Sequence, residues 1–421
     1  MKINKKGYKP LDKPAPKSFC QKCNYLLRIL IYLLIRLFIV YIIKRFFKKR
    51  QSLNNNKFDK EELFYQKNPE LIVDSKELKE INNFINNDKL INPDEIFKKY
   101  EDPKISIIIP IYNGEKNIEK SLLSIYNQDF KEIEVIIIDD YSTDKTKEII
   151  NQLKSKYPSI SLYSNHINRG VLNSKITGII KSKGKYILFL NQNDFFTKKD
   201  AFTILYSEAE NNNLDILGFS SLIEKGKYLY HYNEIPLIKQ PKIKQIMYNI
   251  TNGVNISRTE NNLFNYFIKT EFIKKNIIKE IGEKYLNETN INYNSDLFLL
   301  FLISRNATNF KRIKNILYYS SENLFKKWEE ENNLLNARCS NYLYYLDFLY
   351  NKTNDNKEDK NIVLYELENL MLNTECRKND FIRNELVKLC KNLTEKKYID
   401  NKYKLELYLF IFENITVISQ L

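Results

Sequence analysis

The chain has 421 residues, enough for two folded units and a tail, and it carries a formal net charge of +15. This positive charge is spread along the sequence and is not gathered with aromatic residues into a patch, so we expect no nucleic-acid partner. Only three of the five cysteines lie in the predicted folded body, too few and too scattered for a disulfide framework.

The N-terminal region contains a candidate membrane segment. Residues 1–24 are basic and contain prolines, and we predict a disordered tail there. Residues 25–43 include fourteen Leu, Ile, Phe or Val side chains, interrupted by Arg28 and Arg36. The fourteen favour insertion by about 4–8 kcal/mol, against about 3 kcal/mol lost for a central arginine. We expect a helix that anchors the chain by spanning the membrane, or alternatively by lying in its interface.

Three further regions follow the anchor. Residues 44–102 are polar and charged, with helical spacing over Ser75–Phe84, and we interpret them as a helical stalk. Pro103 interrupts this pattern, and an α/β domain is predicted over residues 103–323. Residues 324–421 have a largely helical pattern and form a predicted C-terminal extension.

Three apolar runs in the α/β domain are predicted to be buried parallel strands. They cover Ile105–Ile109, Val135–Ile138 and Tyr186–Leu190, and a helical pattern follows each of them. The runs end in the polar clusters PIYN, DDYSTD and NQND. Because ligands bind beyond the carboxyl ends of parallel strands, we expect the three clusters to converge on one site.

The second half of the domain is less regular. After the NQND cluster, strands are predicted at Asp215–Phe219 and Ile313–Tyr319. The sequence predicts helices over Lys198–Asn211, Thr259–Lys279 and Ser295–Ser304.

Four segments together resemble the successive signatures of family-2 glycosyltransferases. They are PKISIIIPIYNGEKNIEKSLLSIYNQ, VIIIDDYSTD, NRGVLNSK and GKYILFLNQND, and they stand in the family's order and spacing. The resemblance implies a GT-A fold, a Rossmann-like and mainly parallel sheet flanked by helices. It also implies transfer of a sugar from a nucleotide donor, most often linked to UDP, with inversion at the anomeric carbon. The acceptor is an unidentified glycan, lipid or protein.

The resemblance implies that residues at the strand ends hold the nucleotide: Pro110, Tyr112, Asp139, Asp140, Lys175 and Asn191. The Tyr112 ring can stack on a flat base, or alternatively pack on the next helix. Asp140 would accept the uracil imide N–H, whereas Asp139 has either a binding or a structural role. Lys175 replaces the family's arginine and loses its two-bond grip on phosphate; a surface lysine is the alternative. We expect Asp144 to cap the helix that follows.

The third cluster departs from the family pattern, which has Asp-x-Asp at this position. Here Asn191, Gln192 and Asn193 precede the lone carboxylate of Asp194. An asparagine carbonyl can ligate a hard cation, but without the charge that sets affinity. We therefore expect Mn²⁺ or Mg²⁺ to bind weakly, or not at all, through Asn193 and Asp194.

The resemblance implies that Asp296 is the general base that deprotonates the acceptor hydroxyl. Its alternative role is to cap the helix that begins at Ser295, the residue that replaces the family's acidic partner. The acceptor side is also altered, with Phe264 and Tyr266 in place of the usual Trp and Lys. We expect a membrane-anchored glycosyltransferase of the endoplasmic reticulum or Golgi, or alternatively an inactive sugar-nucleotide binder.

Overall fold

The computed structural model describes residues 75–86, 98–223, 235–239, 250–251, 254–255, 262–277, 295–304, 306–320 and 380–394. The predicted tail, the anchor at 25–43 and most of the predicted stalk and C-terminal extension lie outside the described residues. Within those ranges, no helix combines the length and apolar character needed to cross a membrane.

The helices that the structure describes are, in chain order, α1 Ser75–Ile85, α2 Ile118–Tyr126, α3 Thr146–Lys156, α4 Val171–Lys181, α5 Ala201–Asn211, α6 at 270–277, α7 Ser295–Ser304 and α8 Asp380–Thr394. The strands are β1 Ile105–Ile111, β2 Ile133–Asp139, β3 Ile160–Ser164, β4 Tyr186–Phe189, β5 Phe195–Phe196, β6 Ile216–Ile223, β7 Ile235–Lys239, β8 Ile250–Thr251, β9 Val254–Asn255, β10 Tyr266–Lys269 and β11 Asn309–Ser320.

Nine of the described strands form one mixed sheet. Its order is β3-β2-β1-β4-β10-β6-β11-β5, and β7 also pairs with β11. Strands β3, β2, β1 and β4 are mutually parallel, with Ile111 opposite Asp139 where β1 and β2 end. The carboxyl ends of these strands therefore meet at one edge of the sheet, as the alternating strands and helices predict.

Strand β10 corrects the prediction of a continuous helix over 259–279. Residues 266–269 are extended and pair antiparallel with β4 on one side and with β6 on the other. Tyr266, Phe267 and Ile268 are all buried. Aromatic and β-branched side chains favour such a position between two strands, and the pairing outweighs the helical pattern around them. The chain becomes helical only at residue 270.

The apolar runs form the centre of the core because both faces of the parallel strands are covered. Every residue of β1 is buried, as are most residues of β2 and all of β4. Helix α4 lies closely against β1, and a Cβ atom at Gly178 would overlap the side chain of Ile108. This close approach fixes α4, and with it Lys175, over the sheet.

Helix α1 matches the helix that is predicted over Ser75–Phe84, and it packs on the domain. It contributes to a small apolar cluster formed by Ile81, Ile85, Phe195, Leu222 and Ile316. At the edge of this cluster, Lys198 Nζ lies 2.8 Å from Glu77 Oε1. The described end of the predicted stalk is thus joined to the sheet near β5 and β11.

Candidate active site at the carboxyl edge of the sheet

The three polar clusters are joined by direct hydrogen bonds, which confirms that they converge. The backbone N–H of Asp140 donates to Ile111 O at 2.8 Å, linking the second cluster to the end of β1. The backbone N–H of Tyr112 donates to Gln192 Oε1 at 2.9 Å, linking the first cluster to the third. One edge of the sheet therefore presents PIYN, DDYSTD and NQND as a single surface.

Asp140 organises the loop that follows β3. Its Oδ1 accepts from the backbone N–H of Arg169 and from Asn165 Nδ2, both at 2.8 Å. Its Oδ2 accepts from the backbone N–H of Gly170 at 2.7 Å, and Gly170 has a φ of 84°, which favours glycine. A carboxylate offers about four acceptor positions, so capacity for about one further donor remains.

Asp139 is turned into the protein. Its side chain is completely buried, Oδ1 accepts from the backbone N–H of Ser142 at 3.1 Å, and Oδ2 forms an ion pair with Lys147 Nζ at 3.2 Å. Of the two roles that its sequence position allows, these contacts support the structural one. The residue stabilises the turn that follows β2.

Asp144 connects the first two clusters. Its Oδ1 accepts from the backbone N–H of Thr146, the first residue of α3, at 3.0 Å, and its Oδ2 accepts from the backbone N–H of Glu115 at 3.2 Å. The N-cap of α3 is Lys145, so Asp144 is not the predicted cap; it lies one residue earlier and holds the N–H of the first helical residue. Burial alone would raise the pKa of Asp144, but the hydrogen bonds from Thr146 and Glu115 outweigh it and lower the pKa below its usual value.

Two tyrosine rings stand at the surface beside Asp140. Tyr112, the first residue after β1, is 46% exposed, whereas Pro110 is buried within that strand. Tyr141, the residue after Asp140, is 48% exposed and has a φ of 70°, an unusual backbone conformation for a bulky side chain. Tyr141 was not among the predicted site residues, although it directly follows the aspartate pair, and that position was the available signal.

Asp194 is buried and serves as an internal acceptor. Its Oδ2 accepts from the hydroxyl of Tyr318 at 2.7 Å, from Asn191 Nδ2 at 2.8 Å and from Ser320 Oγ at 3.4 Å. Burial, and then the neighbouring Asp194 charge, raise the pKa of Tyr318 well above its ordinary value, so this hydroxyl remains a donor. The sequence predicted Tyr318 only as a strand residue and gave no signal for its contact with Asp194.

The side-chain atoms of the NQND cluster are poor ligands for a divalent cation. Asn191 directs an N–H group, and not its oxygen, toward the only carboxylate, and Asn193 Oδ1 already accepts from Asn117 Nδ2 at 3.0 Å. In the part of the chain that the structure describes, no group of three or more His, Cys, Asp or Glu side chains could hold a metal ion. Hard cations prefer several oxygen ligands with negative charge.

Lys175 and Asp296 form a buried ion pair. Lys175 is 3% exposed, and its ammonium group contacts Asp296 Oδ1. Asp296 Oδ2 accepts from the backbone N–H of Leu263 at 2.9 Å. Lys175 is therefore not a surface lysine, which was the alternative to its predicted role. It contacts Asp296, so the residue expected to bind nucleotide lies against the residue expected to act as base. The carboxylate oxygens of Asp296 thus contact Lys175 and the segment before β10, and they do not cap the helix that begins at Ser295.

An aromatic contact joins this ion pair to the third cluster. Phe264, next to Leu263, stacks on Tyr318 with ring centroids 4.4 Å apart and an interplanar angle of 5°. Asp296 is thus linked to Asp194 by its hydrogen bond with Leu263, by the stacking of the next residue, Phe264, on Tyr318, and by the hydrogen bond from Tyr318 to Asp194. The candidate base and the NQND cluster are parts of one packed unit.

A mixed α/β sheet with these strand-end clusters has the architecture of a GT-A glycosyltransferase. Residues 106–280 match the family model described as Glycosyl transferase family 2. Residues 106–280 are therefore similar to the family that the sequence signatures predict.

Two of the relatives that match are named as glycosyltransferases. An uncharacterized glycosyltransferase of Haemophilus influenzae is 43% identical over 93 residues, which cover 22% of this chain and 37% of the relative. The GalNAc(5)-diNAcBac-PP-undecaprenol beta-1,3-glucosyltransferase of Campylobacter jejuni is 33% identical over 124 residues, which cover 29% of this chain and 40% of the relative. The match thus spans well under two thirds of the length of these two relatives.

A solved structure supports the fold independently of the sequence signatures. The crystal structure of S. aureus TarS 1-349 in complex with UDP-GlcNAc aligns with a TM-score of 0.52 and 17% sequence identity. The alignment covers 68% of this chain and 81% of that chain. At this identity the likeness shows that the two proteins share a fold.

Proposed function

We propose that this domain transfers a sugar from a UDP-linked donor to a hydroxyl acceptor, with inversion at the anomeric carbon. The observation that carries the proposal is Asp140, whose carboxylate is held by three donors at the strand ends that also carry the half-exposed Tyr112 and Tyr141. Relatives named as glucosyltransferases, and a TarS structure that contains UDP-GlcNAc, favour a nucleotide-sugar donor.

Uracil can supply the one further hydrogen-bond donor that the Asp140 carboxylate can still accept. Its flat ring can stack on Tyr112, which is exposed directly after β1, and its imide N–H can donate to the carboxylate. Because the loop at 165–170 fixes both carboxylate oxygens, this contact needs little reorganisation on binding. Cytosine and adenine lack an imide donor and guanine carries a second ring, whereas thymine has the same imide as uracil and is not distinguished by this contact.

In the reaction, an acceptor oxygen attacks the anomeric carbon from the face opposite the diphosphate. The new carbon–oxygen bond forms while the bond to the diphosphate breaks, and its electron pair leaves with UDP. Asp296 receives the acceptor proton. The ion pair with Lys175 and the N–H of Leu263 hold the carboxylate in place for this step. No step in this scheme passes through a metal ion.

A second candidate function is binding of a sugar nucleotide without turnover. It is favoured by the state of Asp296, whose two oxygens already have protein partners, Lys175 and Leu263. It is also favoured by the loss of both carboxylates from the Asp-x-Asp position. In this case the chain would act as a binder or as a scaffold for an active partner.

Turnover and binding measured on the same preparations separate the two functions. The full chain is incubated with UDP-GlcNAc and UDP-glucose, and UDP release is followed beside calorimetric titration of UDP. We expect Asp296→Asn to lower turnover about 100-fold or more while leaving UDP affinity within about threefold. Asp102→Asn is the matched control, since that side chain is 87% exposed and remote from the strand ends.

The outcomes of this experiment are distinct. Binding of UDP without turnover in the wild type would favour the second function. Absence of UDP binding would contradict both functions. Turnover that is unaffected by Asp296→Asn would remove Asp296 from the role of base.

We also propose that residues 25–43 anchor the domain to a membrane of the endoplasmic reticulum or Golgi. The support is the apolar composition of that segment. Carbonate extraction of membranes from cells that express the full chain tests this proposal. The chain should stay in the pellet, and release of the full chain into the supernatant, beside a variant that lacks residues 25–43, would contradict it.

A further inference from the structure

The loop after β4 is held by hydrogen bonds within the protein. We call residues 191–194 the amide loop, because three of its four side chains are amides. At one end, Asp194 Oδ2 accepts from Asn191 Nδ2, from the Tyr318 hydroxyl and from Ser320 Oγ. Asp194 is 1% exposed, so its charge faces these donors and not the surface.

The rest of the amide loop is tied to the first cluster. Gln192 Oε1 accepts from the backbone N–H of Tyr112 at 2.9 Å, and Gln192 O accepts from Ser121 Oγ at 3.0 Å. Asn193 Oδ1 accepts from Asn117 Nδ2 at 3.0 Å. Each of the four side chains therefore has a partner inside the protein, and the loop needs no cation to hold its conformation.

A cation at this loop would have to displace existing contacts. It would compete with the three donors on Asp194 Oδ2 and would meet the N–H groups of the Asn191 amide, which repel positive charge. The gain would be small, because a neutral carbonyl ligand adds little of the charge that sets the affinity for Mg²⁺ or Mn²⁺. The balance therefore favours the internal hydrogen bonds.

Positive side chains at the carboxyl edge of the sheet offer another way to offset the negative charge of a diphosphate. The loops after β1, β2 and β3 each carry a cationic residue that is exposed or half-exposed: Lys116, Lys145 and Arg169. Arg169 is also next to Gly170, whose N–H contacts Asp140. Lysine and arginine bind phosphate oxygens by charge-assisted hydrogen bonds, so these residues can supply the positive charge that a metal ion supplies in an Asp-x-Asp site.

We propose that this chain binds a nucleoside diphosphate without a divalent cation. Internal hydrogen bonds hold the amide loop, and the three cationic residues of the neighbouring loops offset the charge of the diphosphate. This inference rests on the proposed function, because it concerns the same nucleotide site. It goes further by giving that site a metal-independent mode of binding.

Calorimetric titration of UDP into the full chain tests the inference. The titration is run once with EDTA and once with Mn²⁺. We expect the two dissociation constants of the wild type to agree within about threefold, a difference of less than 1 kcal/mol. Asn191→Asp/Asn193→Asp restores the Asp-x-Asp pattern, and for this variant we expect Mn²⁺ to tighten UDP binding about tenfold or more.

The role of the cationic residues is tested by a separate variant and its control. Arg169→Gln should weaken UDP binding in EDTA about tenfold, through loss of a charge-assisted contact. Lys183→Gln is the matched control, because Lys183 is exposed between α4 and β4, at the opposite edge of the sheet. That variant should bind UDP as the wild type does.

The results that overturn the inference differ from those that overturn the proposed function. Loss of more than about tenfold in wild-type affinity on chelation would mean that a cation is needed, and it would overturn the inference alone. No UDP binding in either condition would overturn the proposed function. An Arg169→Gln variant that binds UDP in EDTA as well as the wild type would overturn the assigned source of positive charge.

Discussion

The ends of β2 and β4 each carry an aspartate held by three donors, but the two sites are built differently. Asp140 accepts from two backbone N–H groups and one side-chain amide, all in the loop at 165–170, and the half-exposed Tyr141 follows it in the chain. Asp194 accepts from side chains, two of which lie on strand β11. Both carboxylates are buried, but exposed tyrosines adjoin Asp140, whereas Asp194 bonds the end of β11.

The difference shows how a strand-end cluster can change its role while its position is kept. In the DDYSTD cluster the carboxylate lies on a loop whose neighbouring rings face solvent. In the NQND cluster the flanking carboxylates are replaced by amides, and the remaining one bonds Tyr318. Internal donors make both carboxylates contribute to stability, and only Asp140 also has exposed aromatic neighbours on which a ligand could stack.

The largest expected effect is at Asp140. Asp140→Ala leaves three donors without an acceptor, and we expect it to lower the free energy of unfolding by about 4 kcal/mol, since each unsatisfied buried donor costs about 1–3 kcal/mol. Urea unfolding followed by circular dichroism measures this. An unfolding free energy within about 1 kcal/mol of the wild type would contradict the assignment of Asp140 as the organiser of the 165–170 loop.

A smaller effect on the free energy of unfolding is expected at the ion pair of Lys175 and Asp296. Lys175→Met leaves the Asp296 carboxylate without its counter-charge, and we expect a loss of about 3 kcal/mol in the free energy of unfolding. Lys175→Arg keeps the charge and should recover at least half of that loss. Equal destabilisation by both variants, measured by urea unfolding, would show that side-chain shape and not charge matters at this position.

The smallest expected effect, about 2 kcal/mol at neutral pH, is at Tyr318. Tyr318→Phe keeps the stacking on Phe264 and removes the donor to Asp194. The same variant tests the raised pKa of Tyr318. An unfolded tyrosine ionises near pH 10, so above that pH the folded chain binds one more proton at this residue, and its contribution to stability falls as pH rises.

This prediction has a pH-dependent readout. Between about pH 10.5 and 12, the wild type should lose stability more steeply than Tyr318→Phe, by about 1.4 kcal/mol per pH unit for one proton. Urea unfolding at several alkaline pH values measures both slopes. Parallel slopes for the two proteins would contradict the buried, proton-holding hydroxyl.

The strand ends could be predicted from sequence because their signals are local. The runs at Ile105–Ile109 and Val135–Ile138 are short, apolar and β-branched, and polar clusters follow them directly. Strand β10 could not be predicted in this way, because its four residues lie within a helical pattern and become a strand only by pairing with β4 and β6.

The contacts that decide the roles of side chains are long-range and could not be predicted. Lys175 and Asp296 are 121 residues apart in sequence, and Asp194 and Tyr318 are 124 apart. Their meeting depends on how α4, α7 and β11 pack on the sheet, and no local pattern records that. The family resemblance gave candidate positions, and the structure gives the partners.

The claim that Asp140 faces the ligand while Asp194 supports the core is tested most directly by titrating UDP into two matched variants. Asp140→Asn and Asp194→Asn each remove one charge and retain one acceptor oxygen. We expect Asp140→Asn to weaken UDP binding about tenfold or more and Asp194→Asn to change it less than about threefold, with EDTA or with Mn²⁺ present. Equal weakening by the two variants, or a larger loss at Asp194, would contradict this division of roles.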